Sequence, residues 1–418
     1  AIGANALGAQ NFTSGNRPGN NGIGLNAGTS ITSGIANNIM GTFAGDALTD
    51  ADYNVAIGHG ALSADTLGSK SIAIGANALL NQNFSTATDG LNVAMGHDAG
   101  YQVTTGVQNT ILGAGAGDAL TDADYNVAIG YNALTTDTLG SRTVAIGYQA
   151  LNTQNFSTAT VSENTAVGSE AGYSLTTGRQ NTLVGYRTGY ALTDGGNNVG
   201  LGDDALRNVT EGDRNISIGR YAGFGLTTAT DNILIGYLAG YSDNNSSIKL
   251  TGNANIFIGG YTNAAAAANI NSIVIGHNVT GKGNYTSMIG SSSGGAYQGN
   301  NSASWSTTSD KRLKKNIVDS QVGLEEINKI KVREFEYKTK DDLSEIESDG
   351  LKESDIISKS GVQVGAIAQE IQEVLPKCVK EESTGVLSVD NDNLTWHLVK
   401  AVQELSNEVK QLKEKLNG

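Results

Sequence analysis

Apolar positions in the first 290 residues recur on a ruler set by glycine. The unit reads Asn-(Val/Thr/Ile)-X-(Ile/Val/Leu)-Gly-X-X-Ala, as in NVAIGHGAL at 54–62, NVAMGHDAG at 92–100, NTAVGSEAG at 164–172 and NILIGYLAG at 232–240. The anchoring glycines run from Gly3 through Gly58, Gly130 and Gly236 to Gly290, mostly at a spacing of 17, with a spacing of 21 ahead of Gly24, Gly96 and Gly168. Whole stretches return after four such units, and DALTDADYNVAIG at 46–58 recurs unchanged at 118–130. Duplication of a four-unit block is the simplest account, and a fixed period of this size marks a stacked repeat architecture.

The residue before each glycine is a large aliphatic or Met (Ile57, Ile74, Met95, Leu112, Val184, Ile235), and two positions earlier stands Val, Ile or Thr in most units. Strand side chains alternate, so these two share one face and the residue between them, often Ala (Ala56, Ala73, Ala128), faces the other way. A strand apolar on both sides is covered on both sides. The glycine suits a corner with positive φ or a close backbone approach, and the Asn four positions earlier suits a turn or a stacked side-chain ladder. One such coil holds too little apolar surface to stand alone, and stacking builds a continuous core. At about 4.8 Å per stacked strand, the glycine-anchored coils make a rod of roughly 80 Å. The pattern predicts a mainly β chain: stacked 17-residue repeats in a parallel β-roll or β-helix rod over 1–290, a Gly/Ser-rich linker over 291–308, and a small α+β domain over 309–418.

The repeat resembles the SVAIG-type head repeats of trimeric autotransporter adhesins and the NTAIGYNAL repeats found ahead of chaperone domains in phage-like fibres. The first resemblance implies a left-handed parallel β-roll that associates as a homotrimer. On that analogy the middle residue of each strand, such as Ala128, is expected to face the three-fold axis. The adhesin repeat is shorter than this one, which leaves coil shape and handedness open.

Charge divides the chain. Residues 1–308 hold 10 Lys and Arg against 19 Asp and Glu, a net of −9 within the −14 of the whole chain, whereas the much shorter stretch 309–418 holds 17 and 22. Such an acidic balance argues against nucleic-acid binding and against anionic membrane surfaces. No apolar run approaches the roughly 20 residues that span a bilayer, so no membrane insertion is expected. The single cysteine, Cys378, excludes an intrachain disulfide framework or a multi-cysteine zinc site; it reads as a small, partly buried apolar residue, and neither cofactor nor metal is expected. The chain opens on Ala-Ile-Gly inside a repeat, so an attachment region further upstream is expected.

Three segments follow residue 308: SDKRLKKNI at 309–317, VGAIAQEIQEVLPKCV at 364–379 and LTWHLVKAVQELSNEVKQLKEKL at 394–416. Ile367, Ile371, Val374 and Leu375 have helical spacing, and Pro376 ends that helix. Phe335 and Tyr337 share a strand face. Leu398, Ala401, Leu405, Val409, Leu412 and Leu416 approximate a heptad seam. Taken alone, SDKRLKKN is a serine N-cap before a basic turn. In order and wording, however, the three segments resemble the self-cleaving intramolecular chaperone of endosialidase tail spikes and other phage fibres. That resemblance implies cleavage between Thr308 and Ser309, with Ser309 and Lys314 as a dyad and Asn316 completing the motif. The chemistry is sound: a hydroxyl is a poor nucleophile without a base, and a lysine serves when desolvation or nearby cations lower its pKa. Lys311, Arg312 and Lys315 are such neighbours. Either Ser309 attacks the preceding carbonyl, or it orients a water. His397, the only histidine after 308, reads as a helix-surface or packing residue.

These features point to a homotrimeric phage tail fibre located in the virion. Its expected partners are copies of itself, a tail or baseplate reached through the upstream region, and a host surface receptor; the tyrosines Tyr131, Tyr148, Tyr186 and Tyr237 read either as glycan-binding aromatics or as surface residues bracing loops. A bacterial surface adhesin or injection-apparatus fibre is the alternative. A polysaccharide-degrading spike is disfavoured, because glycan hydrolysis uses two carboxylates at a set separation, whereas Asp46, Asp50 and Asp52 simply recur as Asp118, Asp122 and Asp124. A β-rod of near-identical coils slips register at small local cost. A C-terminal trimeriser lowers the entropy of starting in register, and its later removal gives kinetic stability.

Overall fold

A computed structural model describes residues 1–11, 18–241, 250–292, 294–298, 305–306, 310–342, 360–381 and 385–417. The chain divides into two compact units, Ala1–Thr308 and Ser309–Gly418.

The first unit is a β-solenoid. Short strands pair in parallel from Asn21–Ile23 to Ser287–Ser291, each with the strand one coil away. Register follows the repeat: Val55 opposes Ile72, Ala56 opposes Ala73 and Ile57 opposes Ile74. The middle side chain of each strand points into the coil. Ala56, Ala73, Ala128 and Leu234 are fully buried there, packed with Ala61, Leu62, Ala133 and Leu134 from the following turn. This overturns the expectation that the middle residue faces a three-fold axis. In the coils whose middle residue is alanine, a second alanine and a leucine from the following turn fill the interior beside it. It is the flanking residues that look outward, so a row of aliphatic side chains follows the outer face of the sheet: Met40 is 47% exposed, Met95 43% and Ile289 48%.

Polar ladders hold the coils in register. Asn54 lies buried, donates its side-chain amide to the Gly68 carbonyl at 2.8 Å and accepts the Ser71 N–H at 2.9 Å. The same Asn arrangement repeats at Asn126 and Asn198. Its buried polar atoms are thereby satisfied, as burial demands. The recurring acids are staples between coils: Asp46 accepts from Ser63 and Asp118 from Thr135, both at 2.6 Å. Among the described residues no group of His, Cys, Asp or Glu could hold a metal ion. Glycine is required at the corner, where Gly130 has φ +131° and an added Cβ would sit 2.3 Å from the Gly147 carbonyl oxygen.

Within the Gly/Ser-rich stretch expected as a linker, the chain reverses. Gly294–Gln298 pairs antiparallel with Ser287–Ser291, and Trp305–Ser306 pairs with Gly294–Gln298. Tyr297 opposes Met288 across this hairpin.

The second unit is α+β. A short helix α1 (Leu324–Ile327) precedes strand Arg333–Phe335, which pairs antiparallel with Gln363–Gly365. Helix α2 (Ala368–Val374) runs into a 3-10 turn at Pro376–Cys378 and the hairpin Val379–Glu381/Leu387–Val389, before the long helix α3 (Asn391–Asn417). The helix begins after Ile367, where the helical spacing starts, and residues 363–365 ahead of it are strand. A small core of Ile371, Leu375 and buried Cys378 packs with Ile327, Val374, Val389 and Leu394. Phe335 and Tyr337 meet edge to face at 5.4 Å.

Candidate cleavage site

Thr308 and Ser309 lie outside the described residues. Asp310, next in the chain, caps a single 3-10 turn, Lys311–Leu313. Its carboxylate accepts the Arg312 backbone N–H at 2.8 Å and, at 2.6 Å, the Arg312 guanidinium. That ion pair holds the Asp310 carboxyl below the usual carboxylate range. Lys314 closes the turn by donating its backbone N–H to the Lys311 carbonyl at 3.1 Å. Asn316 has φ +53°, in the left-handed region that Asn tolerates better than most residues. Residues 311–321 are exposed, so this unit by itself does not desolvate the lysine-bearing segment. His397 is half-buried on α3. The pairing of Asp310 with Arg312 is not legible in SDKRLKKN, where Arg312 reads as one of three neighbouring cations.

Residues 309–380 match the family described as chaperone of endosialidase. The second unit carries a chaperone-of-endosialidase domain. The family bears a peptidase designation, which brings self-cleavage into the chemistry to be tested. The chain also resembles two curated phage proteins, each a long tail fiber protein Gp37. With that of Enterobacteria phage M1 it shares 33% identity over 112 residues, 26% of this chain and 39% of the relative; with that of Enterobacteria phage Ox2, 33% over 109 residues, 25% and 38%. The chain thus spans about two fifths of the length of these relatives. No solved structure matches.

In the second unit, beyond the matched residues, α3 turns an apolar stripe to solvent. Leu398, Val402, Leu405, Val409, Leu412 and Leu416 are all exposed, with successive spacings of 4, 3, 4, 3 and 4. Ala401, assigned to the seam from sequence, is 3% exposed and belongs to the inner face, while Val402 is 60% exposed. The seam is thus a stricter heptad than the sequence suggests. On the solenoid, Tyr131, Tyr148, Tyr186 and Tyr237 all stand exposed, and Tyr131 stacks on Tyr148 at 5.7 Å.

Proposed function

We propose that this chain is the shaft and assembly module of a homotrimeric phage tail fibre in the virion, and that its chaperone domain cuts itself off at Thr308–Ser309. The observation that carries this reading is the chaperone-of-endosialidase match, whose first residue is Ser309. Two apolar features support self-association: the outward row along the solenoid and the heptad stripe of α3. Contiguous apolar surface of such length marks an interface, and α3 suits a parallel coiled coil. The outward tyrosines offer ring faces to a host glycan, and the fibre is held by the phage tail.

In the cleavage step, Ser309 Oγ attacks the Thr308 carbonyl carbon while Lys314 takes the hydroxyl proton. The C–N bond breaks, the proton passes to the leaving amine, and an ester links Thr308 to Ser309. Water then hydrolyses the ester. Asn316 stands two positions beyond Lys314 and is assigned a supporting role. The competing route has Ser309 orient a water that attacks directly.

Mass analysis of the expressed chain tests the reading beside Ser309→Ala and Lys314→Ala. Fragments meeting at Thr308–Ser309, absent from both variants, are expected; cleavage persisting in both variants would sink the dyad. Hydroxylamine separates the routes, because it intercepts an ester and leaves a hydroxamate on Thr308.

A further inference from the structure

We propose that Asp310 and Arg312 form a positioning clamp that sets the geometry of self-cleavage by holding the turn between Ser309 and Lys314. This rests on the cleavage reading above. A serine and a lysine five positions apart meet only if the chain between them folds back. Extended, five residues span roughly 17 Å, beyond any hydrogen bond between the two side chains. One 3-10 turn rises only about 2 Å per residue, which shortens the path from Asp310 to Lys314.

Burial does not stabilise that turn. A lone helical turn is unfavourable without added interactions, and none of residues 311–313 is buried. Its backbone bonds are two: Leu313 N–H to the Asp310 carbonyl and Lys314 N–H to the Lys311 carbonyl, both 3.1 Å. The side chains add a denser set. Asp310 Oδ1 accepts the Arg312 backbone N–H at 2.8 Å and Arg312 Nε at 3.1 Å, while Oδ2 accepts Nε at 3.1 Å and an Nη at 2.6 Å. One carboxylate therefore caps the turn and grips its central side chain. The fork of the guanidinium is essential to this grip, and a lysine carries the charge without the fork. The turn ends at Lys314, so the clamp acts on the base through the backbone.

A competing role for Arg312 is that of a nearby cation that lowers the lysine pKa. The two roles differ under conservative substitution. The test follows the rate at which the 309–418 fragment appears from the full chain across pH, in the native protein and in Asp310→Ala, Arg312→Ala and Arg312→Lys. A clamp predicts that all three slow cleavage by on the order of 10-fold to 100-fold, the scale of a misplaced reacting group, with the pH midpoint unmoved. Native rates in Asp310→Ala and Arg312→Ala would overturn the clamp. So would a native rate in Arg312→Lys with a displaced midpoint in Arg312→Ala, which assigns Arg312 the electrostatic role. Slowing that accompanies loss of the helical melting transition also counts against it, since the pair would then be holding the domain. Ser309→Ala keeps the two readings apart. If it still cleaves, the dyad itself is wrong; if it is intact while Asp310→Ala cleaves normally, only the clamp fails.

Discussion

Gln82 donates its side-chain amide to the Asp65 carboxylate at 2.6 Å, one coil away and fully buried. The same Gln82 reaches Ser71 at 3.2 Å and accepts from Asn92 at 2.9 Å. Ser71 occupies a rung of the asparagine ladder but lacks an amide. The longer 21-residue coil supplies Gln82 in its place. Gln154 repeats the arrangement with Asp137, Thr143 and Asn164.

Asp65 also accepts the Gly68 N–H at 2.9 Å. Asp65→Ala would leave buried donors unpaired, and we expect a loss of about 3–5 kcal/mol in denaturant unfolding of the solenoid. Burial raises the pKa of both Asp65 and Asp137 above the ordinary 3.8, against the hydrogen bonds that lower it. A raised folded pKa means the folded chain binds more protons. The associated stability is fully present below the unfolded value near 3.8 and is lost as pH rises through the folded value. Comparing denaturation midpoints of the native chain and an Asp65→Asn/Asp137→Asn variant across that window isolates the effect. The difference is expected to shift in favour of the native chain on acidification.

Gly130→Ala forces a side chain into a positive-φ corner and against the Gly147 carbonyl. We expect a cost of about 2–4 kcal/mol, read by thermal melting. Gly60 lies two residues past its corner at φ +64°, where other coils place Asn77 (φ +58°) and Asn132 (φ +50°). Gly60→Asn is therefore expected to be tolerated, within about 1 kcal/mol of the native chain.

Neighbouring positions on one strand should respond oppositely. Ala128→Asp buries an unpaired charge in the coil core and is expected to unfold the local stack, at about 4 kcal/mol or more. Ile129→Asp with Ile146→Asp, on the outward row, should leave the coil folded and weaken self-association. Circular dichroism beside light-scattering mass reports both, and equal loss of fold in the two variants would refute the assignment of faces.

Glu404 on α3 accepts the Leu324 backbone N–H at 2.8 Å, capping α1 across eighty positions of sequence. Glu404→Ala is expected to cost about 1 kcal/mol, as loss of a helix cap does, and Glu404→Gln less, since an acceptor oxygen remains. Helical melting of the full chain measures both.

Several of these features were legible in advance because they are local. Alternation along VAIG, the 17-residue period and the glycine corner are each written into a few adjacent residues, and the stacked parallel strands follow from them. Asn54 could be assigned to a ladder for the same reason. Gln82 could not, since its partners come from three different coils. The cleavage motif was legible only as Ser309, Lys314 and Asn316 in order; the pairing of Asp310 with Arg312 needed the turn to be seen.

By itself, then, the sequence determined the repeat, its period and the existence of two apolar faces on each strand, because side-chain alternation and coil length are properties of the local chain. Tertiary structure alone decided which face closes inward. Ala128 is inside and Ile129 outside because the coil closes on the middle side chain of each strand, where Leu234 and Phe257 are buried as well as the alanines. The same holds for α3, where periodicity allowed either Ala401 or Val402 on the seam. Packing of the domain's own core took Ala401 inward and left Val402 to solvent.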